Sequence, residues 1–186
     1  MRIIAGAARG LKLLSLDGLD TRPTLDRVKE PLFSMLMPYI EEKNVLDLFS
    51  GSGALGLEAL SRGAKKCTFV DKNPKCRNII EANINKARFS EKSTVKTVDF
   101  AKFLSGCTDK FDLVFLDPPY KAGVYGECLK LMSEKNVLNE NAVIALEADA
   151  NEKISELIAE KNLCGCFSLL KEKKYGRVKL YILMAQ

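Results

Sequence analysis

Val45-Leu46-Asp47-Leu48-Phe49-Ser50-Gly51-Ser52-Gly53-Ala54-Leu55-Gly56 is the stretch whose reading decides the fold class. A short apolar run enters G-x-G-x-x-G, and a helical pattern, Ala54–Arg62, follows. Between a strand and a helix, this spacing reads as a nucleotide-binding turn. Gly51 permits the tight turn, Gly53 lets a ligand approach the backbone, and Gly56 lets the helix pack close to the strand. Asp71 closes the next apolar run, 20 residues after Gly51. An acid at that spacing can accept hydrogen bonds from both ribose hydroxyls. The competing reading is a glycine-rich turn with a surface Asp.

Two further acids bear on which nucleoside is held. Asp47, on the strand before the glycines, is placed to meet a cationic group. It suits the amino group of S-adenosylmethionine, whereas NAD needs room for a pyrophosphate. Asp47 could instead cap the turn. Asp99 follows the third apolar run, placed to accept from an adenine amino group, with Phe100 beside it to pack on the adenine face. Asp99 could instead cap a short helix, Phe100–Leu104.

Outward from this turn, short apolar runs alternate with amphipathic stretches. The runs Val45–Phe49, Cys67–Val70, Thr94–Val98, Leu113–Leu116 and Ala142–Leu146 read as strands buried on both faces. Ala54–Arg62, Pro74–Lys86, Tyr125–Glu134 and Glu152–Lys161 read as helices between or after them, with Pro74 at a first helical position. Alternation of this kind gives βαβ units and a parallel sheet. Phe167–Lys174 and Val178–Met184 have only Tyr175-Gly176-Arg177 between them, so they pair antiparallel as a hairpin. The expected fold is α/β and Rossmann-like, a seven-stranded, mostly parallel sheet with a C-terminal antiparallel hairpin, spanning 45–186.

Residues 1–44 stand outside the alternation, as a short N-terminal extension packed on that domain. Arg2–Ala5 and Leu11–Leu14 flank Gly6 and Gly10, suggesting a small hairpin or irregular arm. Asp26–Ile40 is a helical pattern in which Pro31 is awkward: either the helix starts near Lys29 or Pro31 bends one that starts earlier.

The chain's 186 residues include no histidine and no tryptophan. That excludes a Ser-His-Asp triad, a Cys-His dyad and histidine metal ligands, leaving Asp, Glu, Lys, Tyr or Cys for acid–base work. Cys67, Cys76, Cys107, Cys128, Cys164 and Cys166 form no C-x-x-C pair, so free thiols are expected and no metal site. With no leader or long apolar run in view, the expected setting is cytoplasmic, with no membrane partner. Net charge is +5, unevenly spread: +1 over 1–44, −2 over 45–60, +7 over 61–110, −5 over 111–162 and +4 over 163–186. Such a bipolar molecule suits an anionic partner on one face, though a solvated surface would do the same.

The second chemical signal is Asp117-Pro118-Pro119-Tyr120, after the fourth strand, at the sheet edge where ligands bind. Each proline holds its predecessor extended, and the Pro119 nitrogen donates nothing. The stiff loop can present the Asp117 carboxylate and the Pro118 carbonyl together, with the Tyr120 ring as a flat face. Two acceptors and a flat face suit an exocyclic base amine. Accepting from both N–H groups localises the nitrogen lone pair, which can then attack a sulfonium methyl. The base must be unstacked or flipped to arrive there.

These residues resemble a known family. Asp47 to Gly53 with Asp117-Pro118-Pro119-Tyr120 is similar to class I S-adenosylmethionine-dependent amino-methyltransferases. Met1-Arg2-Ile3-Ile4-Ala5-Gly6, Thr21-Arg22-Pro23-Thr24, Asp26-Arg27-Val28-Lys29-Glu30 and Leu55 to Ala64 narrow the resemblance. They resemble the bacterial 16S ribosomal RNA guanine-N2 methyltransferases that act on guanine 966. The resemblance implies that Asp47, Gly51 and Gly53 meet the methionine part of S-adenosylmethionine, Asp71 the ribose and Asp99 the adenine. Phe49, Ser50, Lys72 and Phe100 complete the expected cofactor set. Asp117, Pro118, Pro119 and Tyr120 would hold the base, and Arg2, Arg9, Lys12, Arg22, Thr24 and Arg27 the RNA. The implied partner is 16S ribosomal RNA in an assembled or assembling small subunit. The chain departs from the family pattern at Pro31 and at Arg177-Val178, where the family hairpin has Asp-Thr. A DNA adenine-N6 methyltransferase shares the tetrapeptide but usually carries a separate recognition region, for which 186 residues leave little room. An NAD-dependent oxidoreductase lacks an evident hydride-transfer acid here, and a non-catalytic RNA-binding module would not need Asp117.

Overall fold

The computed structural model describes residues 1–15, 23–119, 123–160 and 163–186, with the backbone only for 23–27. Seven strands form one sheet: β1 (Asn44–Leu48), β2 (Lys66–Asp71), β3 (Ser93–Thr97), β4 (Phe111–Leu116), β5 (Leu138–Asp149), β6 (Phe167–Tyr175) and β7 (Val178–Ala185). Their order is β3-β2-β1-β4-β5-β7-β6. The first five run parallel, and β7 lies antiparallel to both β5 and β6. The C-terminal hairpin therefore inserts its second strand beside β5 and leaves β6 at the edge. The order reverses between β1 and β4, and in open α/β sheets ligands bind in the crevice that opens there.

Both sheet faces are covered, which is why β1 and β4 read as continuous apolar runs. On one face α1 (Pro23–Leu36), α2 (Ala54–Ser61) and α3 (Pro74–Ala87) pack on Val45, Phe69 and Phe115. On the other, α4 (Phe100–Gly106) and α5 (Tyr125–Glu134) cover Leu46, Leu48, Val114 and Leu116. Gly56 shows why α2 can lie so close. A Cβ there would fall 2.4 Å from the Phe69 ring and 2.6 Å from Cys67 Sγ. Among the described residues no helix is long and apolar enough to cross a membrane.

Three expectations shift. α1 begins at Pro23, so Pro31 lies inside it, and a 3-10 turn over Met37–Tyr39 replaces its last part. β5 begins four residues before the expected Ala142. Polar Asn139-Glu140-Asn141 hid that start, and the pairing with β4 slips there. The pattern Glu152–Lys161 yields only the single turn α6 (Ile154–Leu157), in which Ile154 alone is buried; Lys161 lies outside the described residues.

The N-terminal arm is an irregular hairpin closed by one antiparallel bridge, Arg2 to Lys12, and by the Ile3 N–H donating to the Leu11 carbonyl at 3.0 Å. Ile3 and Leu13 join the α1–α2–α3 core. The arm lies so tightly on α2 that Gly6, at φ +83°, admits no side chain. A Cβ there would fall 1.8 Å from the Ser61 carbonyl oxygen.

Candidate active site

At the switch between β1 and β4 lies a cavity of about 520 Å³, within the range of small-ligand sites. The chain leaves β1 through Phe49, which takes φ +74°. A bulky residue pays for that conformation, roughly 1–2 kcal/mol. Hydrogen bonds to β2 hold it. The Phe49 and Ser50 N–H groups both donate to the Val70 carbonyl (2.9 and 3.0 Å), and Ser50 Oγ accepts from the Val70 N–H at 2.9 Å. Positioned this way, the Phe49 ring meets Phe100 with centroids 5.3 Å apart. Both rings, with Val70 and Val98, make an apolar wall of the cavity.

The three acids of the sequence reading line this same cavity. Asp71, at the end of β2, grips the glycine loop: Oδ2 accepts from the Gly51 N–H at 2.9 Å, and Oδ1 from the Asn73 N–H at 2.8 Å. Each oxygen retains a lone pair for a further donor. Asp99 is exposed and caps α4 through the Ala101 N–H (2.9 Å), while also facing the cavity. Capping and ligand contact, posed above as alternatives, are geometrically compatible. The same holds for Asp47, whose Oδ2 accepts from the Gly56 N–H at 2.9 Å.

Asp47 is 2% exposed. Burial pushes its carboxyl up to about 7; the Gly56 N–H pulls it down, nearby Asp71 raises it further and Lys29 lowers it slightly. Cys76 also lines the cavity, but burial and Asp71 push its thiol up to about 11, so it stays protonated and offers no thiolate. Phe49, Ser50, Gly51, Lys72 and Phe100 line the cavity as well. Gly53 is the expected cofactor residue that the cavity lining leaves out. Its N–H is committed to the Ser50 carbonyl at 2.7 Å, it caps α2 at φ +78°, and it is absent from the lining. Its backbone shapes the turn.

Just after β4, Asp117, Pro118 and Pro119 line the same cavity as the glycine loop. Asp117 is half-buried and Pro118 buried. Tyr120 lies outside the described residues. Met1 and Glu147 are among the lining residues that sequence reading did not single out. Glu147 is a buried acid on an apolar strand, which was a usable signal. Met1 arrives only through the folding of the arm.

The acids and the apolar wall fit a charged nucleoside: carboxylates for hydroxyls and an amine, aromatic rings for a base. A family model described as conserved hypothetical protein 95 matches residues 1–184. The chain belongs to that family. A Haemophilus influenzae protein named ribosomal RNA small subunit methyltransferase D is 43% identical over 181 residues, covering 96% of this chain and 90% of the relative. An Escherichia coli K12 protein of the same name is 35% identical over 188 residues, covering 100% and 91%. A solved structure of a putative methyltransferase from Escherichia coli superposes with a TM-score of 0.86 at 33% identity, covering 100% of this chain and 98% of that one.

The remaining expected residues fall within the first 27 positions. Arg2, Arg9 and Lys12 are exposed. Arg22 lies outside the described residues, and Thr24 and Arg27 belong to the backbone-only start of α1. What holds the arm is a buried acid that sequence reading passed over. Glu58, on α2, is fully buried. It accepts from the Ile4 and Ala5 N–H groups (2.8 and 3.1 Å) and pairs with Lys29 (2.9 Å) and Arg62 (2.8 Å). Lys29 also donates to the Arg2 carbonyl at 3.0 Å. Burial alone would raise the Glu58 carboxyl; Lys29, the Ile4 N–H and Arg62 together outweigh it and hold the group below its ordinary value.

Proposed function

We propose that this protein transfers a methyl group from S-adenosylmethionine to the exocyclic N2 of a guanine, guanine 966 by resemblance, in the 16S ribosomal RNA of the small subunit. One observation carries the reading: Asp117 and Pro118 line the same cavity as Asp47, Asp71 and Asp99, so a base-amine site and a nucleoside site open into each other. The naming of relatives as small-subunit ribosomal RNA methyltransferases supports it.

Bound there, S-adenosylmethionine supplies an electrophilic methyl on a sulfonium. Asp47 receives the amino group, Asp71 the ribose hydroxyls and Asp99 the adenine amine, while Phe49 and Phe100 pack on the apolar parts. The Asp117 carboxylate and Pro118 carbonyl accept from the guanine N2 hydrogens, and Tyr120 supports the ring. The nitrogen forms its bond to the methyl as the sulfur–carbon bond breaks, with that electron pair staying on sulfur. Only then is the nitrogen acidic, and Asp117 takes the proton. Positioning and electrostatics supply most of the rate, so no imidazole is required. Arg2, Arg9 and Lys12 grip phosphate, and binding weakens as salt rises. An assembled or assembling small subunit is the preferred substrate over naked RNA.

The test is to incubate the protein with labelled S-adenosylmethionine and small subunits from cells lacking the modification, then map the product. Methyl on guanine N2 is expected. Methyl on adenine, or none, overturns the reading.

A further inference from the structure

One fully buried amide joins the two halves of the proposed machinery. Asn83, on the inner face of α3, donates from Nδ2 to the Ser52 carbonyl at 2.9 Å and to the Leu14 carbonyl at 3.0 Å. Its Oδ1 accepts from the Leu14 N–H at 2.8 Å. Ser52 belongs to the glycine loop and lines the cavity; Leu14 ends the arm. Two carbonyls and one N–H fix which way the amide points, since only NH2 serves the first two and only oxygen the third. Asp in its place would keep the acceptor and lose both donors; Ala would leave all three backbone groups without this partner.

The arm's other anchors differ in one respect. Glu58 and Ser61 on α2 hold residues 4–8, and Lys86 donates to the Lys12 carbonyl at 2.7 Å. None of these reaches the glycine loop. Asn83 bonds arm and loop at once. Whatever fixes Ser52 fixes the Asn83 amide, and with it Leu14.

We propose that Asn83 is a positioning residue that couples cofactor occupancy to the set of the RNA-gripping arm, so that cofactor and RNA each tighten the other's binding. The RNA half of this statement rests on the function proposed above; the cofactor half does not. By linkage the coupling must be reciprocal and equal in the two directions. Ordering shared between two sites suffices for it, with no large movement.

The decisive measurement is hydrogen exchange on the full chain with and without S-adenosylhomocysteine. In the wild type, the ligand should slow exchange of the Leu14 amide at least about fivefold more than that of the Ile4 and Ala5 amides, which Glu58 anchors independently. N83A and N83D should both lose that excess; S61A, which cuts an anchor that does not touch the loop, should keep it. A purely structural Asn83 would raise exchange along the whole arm and leave no ligand-dependent excess to lose. Equal protection of all three amides in the wild type overturns the proposal before any variant is made, and an excess that persists in N83D overturns it as well. The second measurement is binding to small subunits. S-adenosylhomocysteine should tighten it about fivefold or more in the wild type and by less than about twofold in N83D. Subunit binding that the ligand leaves unchanged overturns the coupling to RNA. If the exchange excess is present but small subunits do not bind at all, the substrate reading fails and the tie between loop and arm stands.

Discussion

Asp47 and Glu58 are both acids with almost no exposed surface, on the consecutive elements β1 and α2, yet their surroundings are opposite. Glu58 is surrounded by donors from its own chain: two N–H groups, an ammonium and a guanidinium. Its charge is balanced, and its carboxyl stays below the ordinary value. Asp47 has one N–H, from Gly56, and a second acid, Asp71, close enough to raise it. Burial pushes it to about 7, because no strong cation stands against it. An acid balanced from within holds structure, here the arm. A buried acid left short of positive charge on a cavity wall is poised for a cation from outside.

The largest expected effect falls on neither acid, and so bounds the comparison. D117A should lower methyl transfer by about 10²-fold or more, the scale of losing one positioned group at the reacting centre. S-adenosylhomocysteine affinity should stay within about threefold. A rate near wild type would leave the tetrapeptide no catalytic part. Next comes E58A, which removes the buried carboxylate that Lys29 and Arg62 share and should cost about 3–5 kcal/mol in chemical denaturation. A loss under about 1 kcal/mol would break the claim that this acid is structural. D47N should behave in the opposite way. Asn keeps an acceptor for the Gly56 N–H while removing the costly charge, so stability of the unliganded protein at pH 8 should hold or rise. Affinity for S-adenosylhomocysteine, measured by calorimetry, should fall about tenfold or more, since a charge-assisted contact to the amino group is lost.

The comparison also marks how far sequence could go. The strands were legible because burial on both faces leaves an unbroken apolar run, and β5 was misjudged only where Asn139-Glu140-Asn141 interrupts one. The cavity-lining acids Asp47, Asp71 and Asp99 were legible because βα geometry sets their spacing along the chain. Asp117 was legible for the same reason, at the end of a strand. Glu58 and Asn83 left signals of another kind. Glu58 is a lone acid in the otherwise apolar Ala54–Ser61, and Asn83 falls on the helical stripe of Cys76, Ile80, Ile84 and Ala87. A polar residue on a buried face announces a partner without naming it. Three of the partners, Ile4, Leu14 and Lys29, come from the first 44 residues, whose packing no local periodicity encodes. Met1 reached the cavity by that same route.

The smallest effect separates the two acids by the sign of their response to pH. Glu58 has a lowered carboxyl, so its contribution is present above the ordinary glutamate value near 4.5 and is lost as pH falls through its folded value. Asp47 is raised from 3.8 to about 7. Between those values the folded protein holds a proton there that the unfolded chain has released, so folding is favoured at low pH. The advantage is lost as pH rises through about 7, after which the term is flat. Cofactor binding follows the reverse course, because an amino group favours the ionised carboxylate. Affinity for S-adenosylhomocysteine should fall as pH drops below about 7, by at most about tenfold per unit. Measured between pH 5.5 and 8, the wild type should lose stability with rising pH relative to D47N while gaining affinity relative to it. If the two proteins trace parallel curves in both measurements, Asp47 carries no burial penalty that a ligand could relieve, and the contrast with Glu58 collapses to one of hydrogen-bond number.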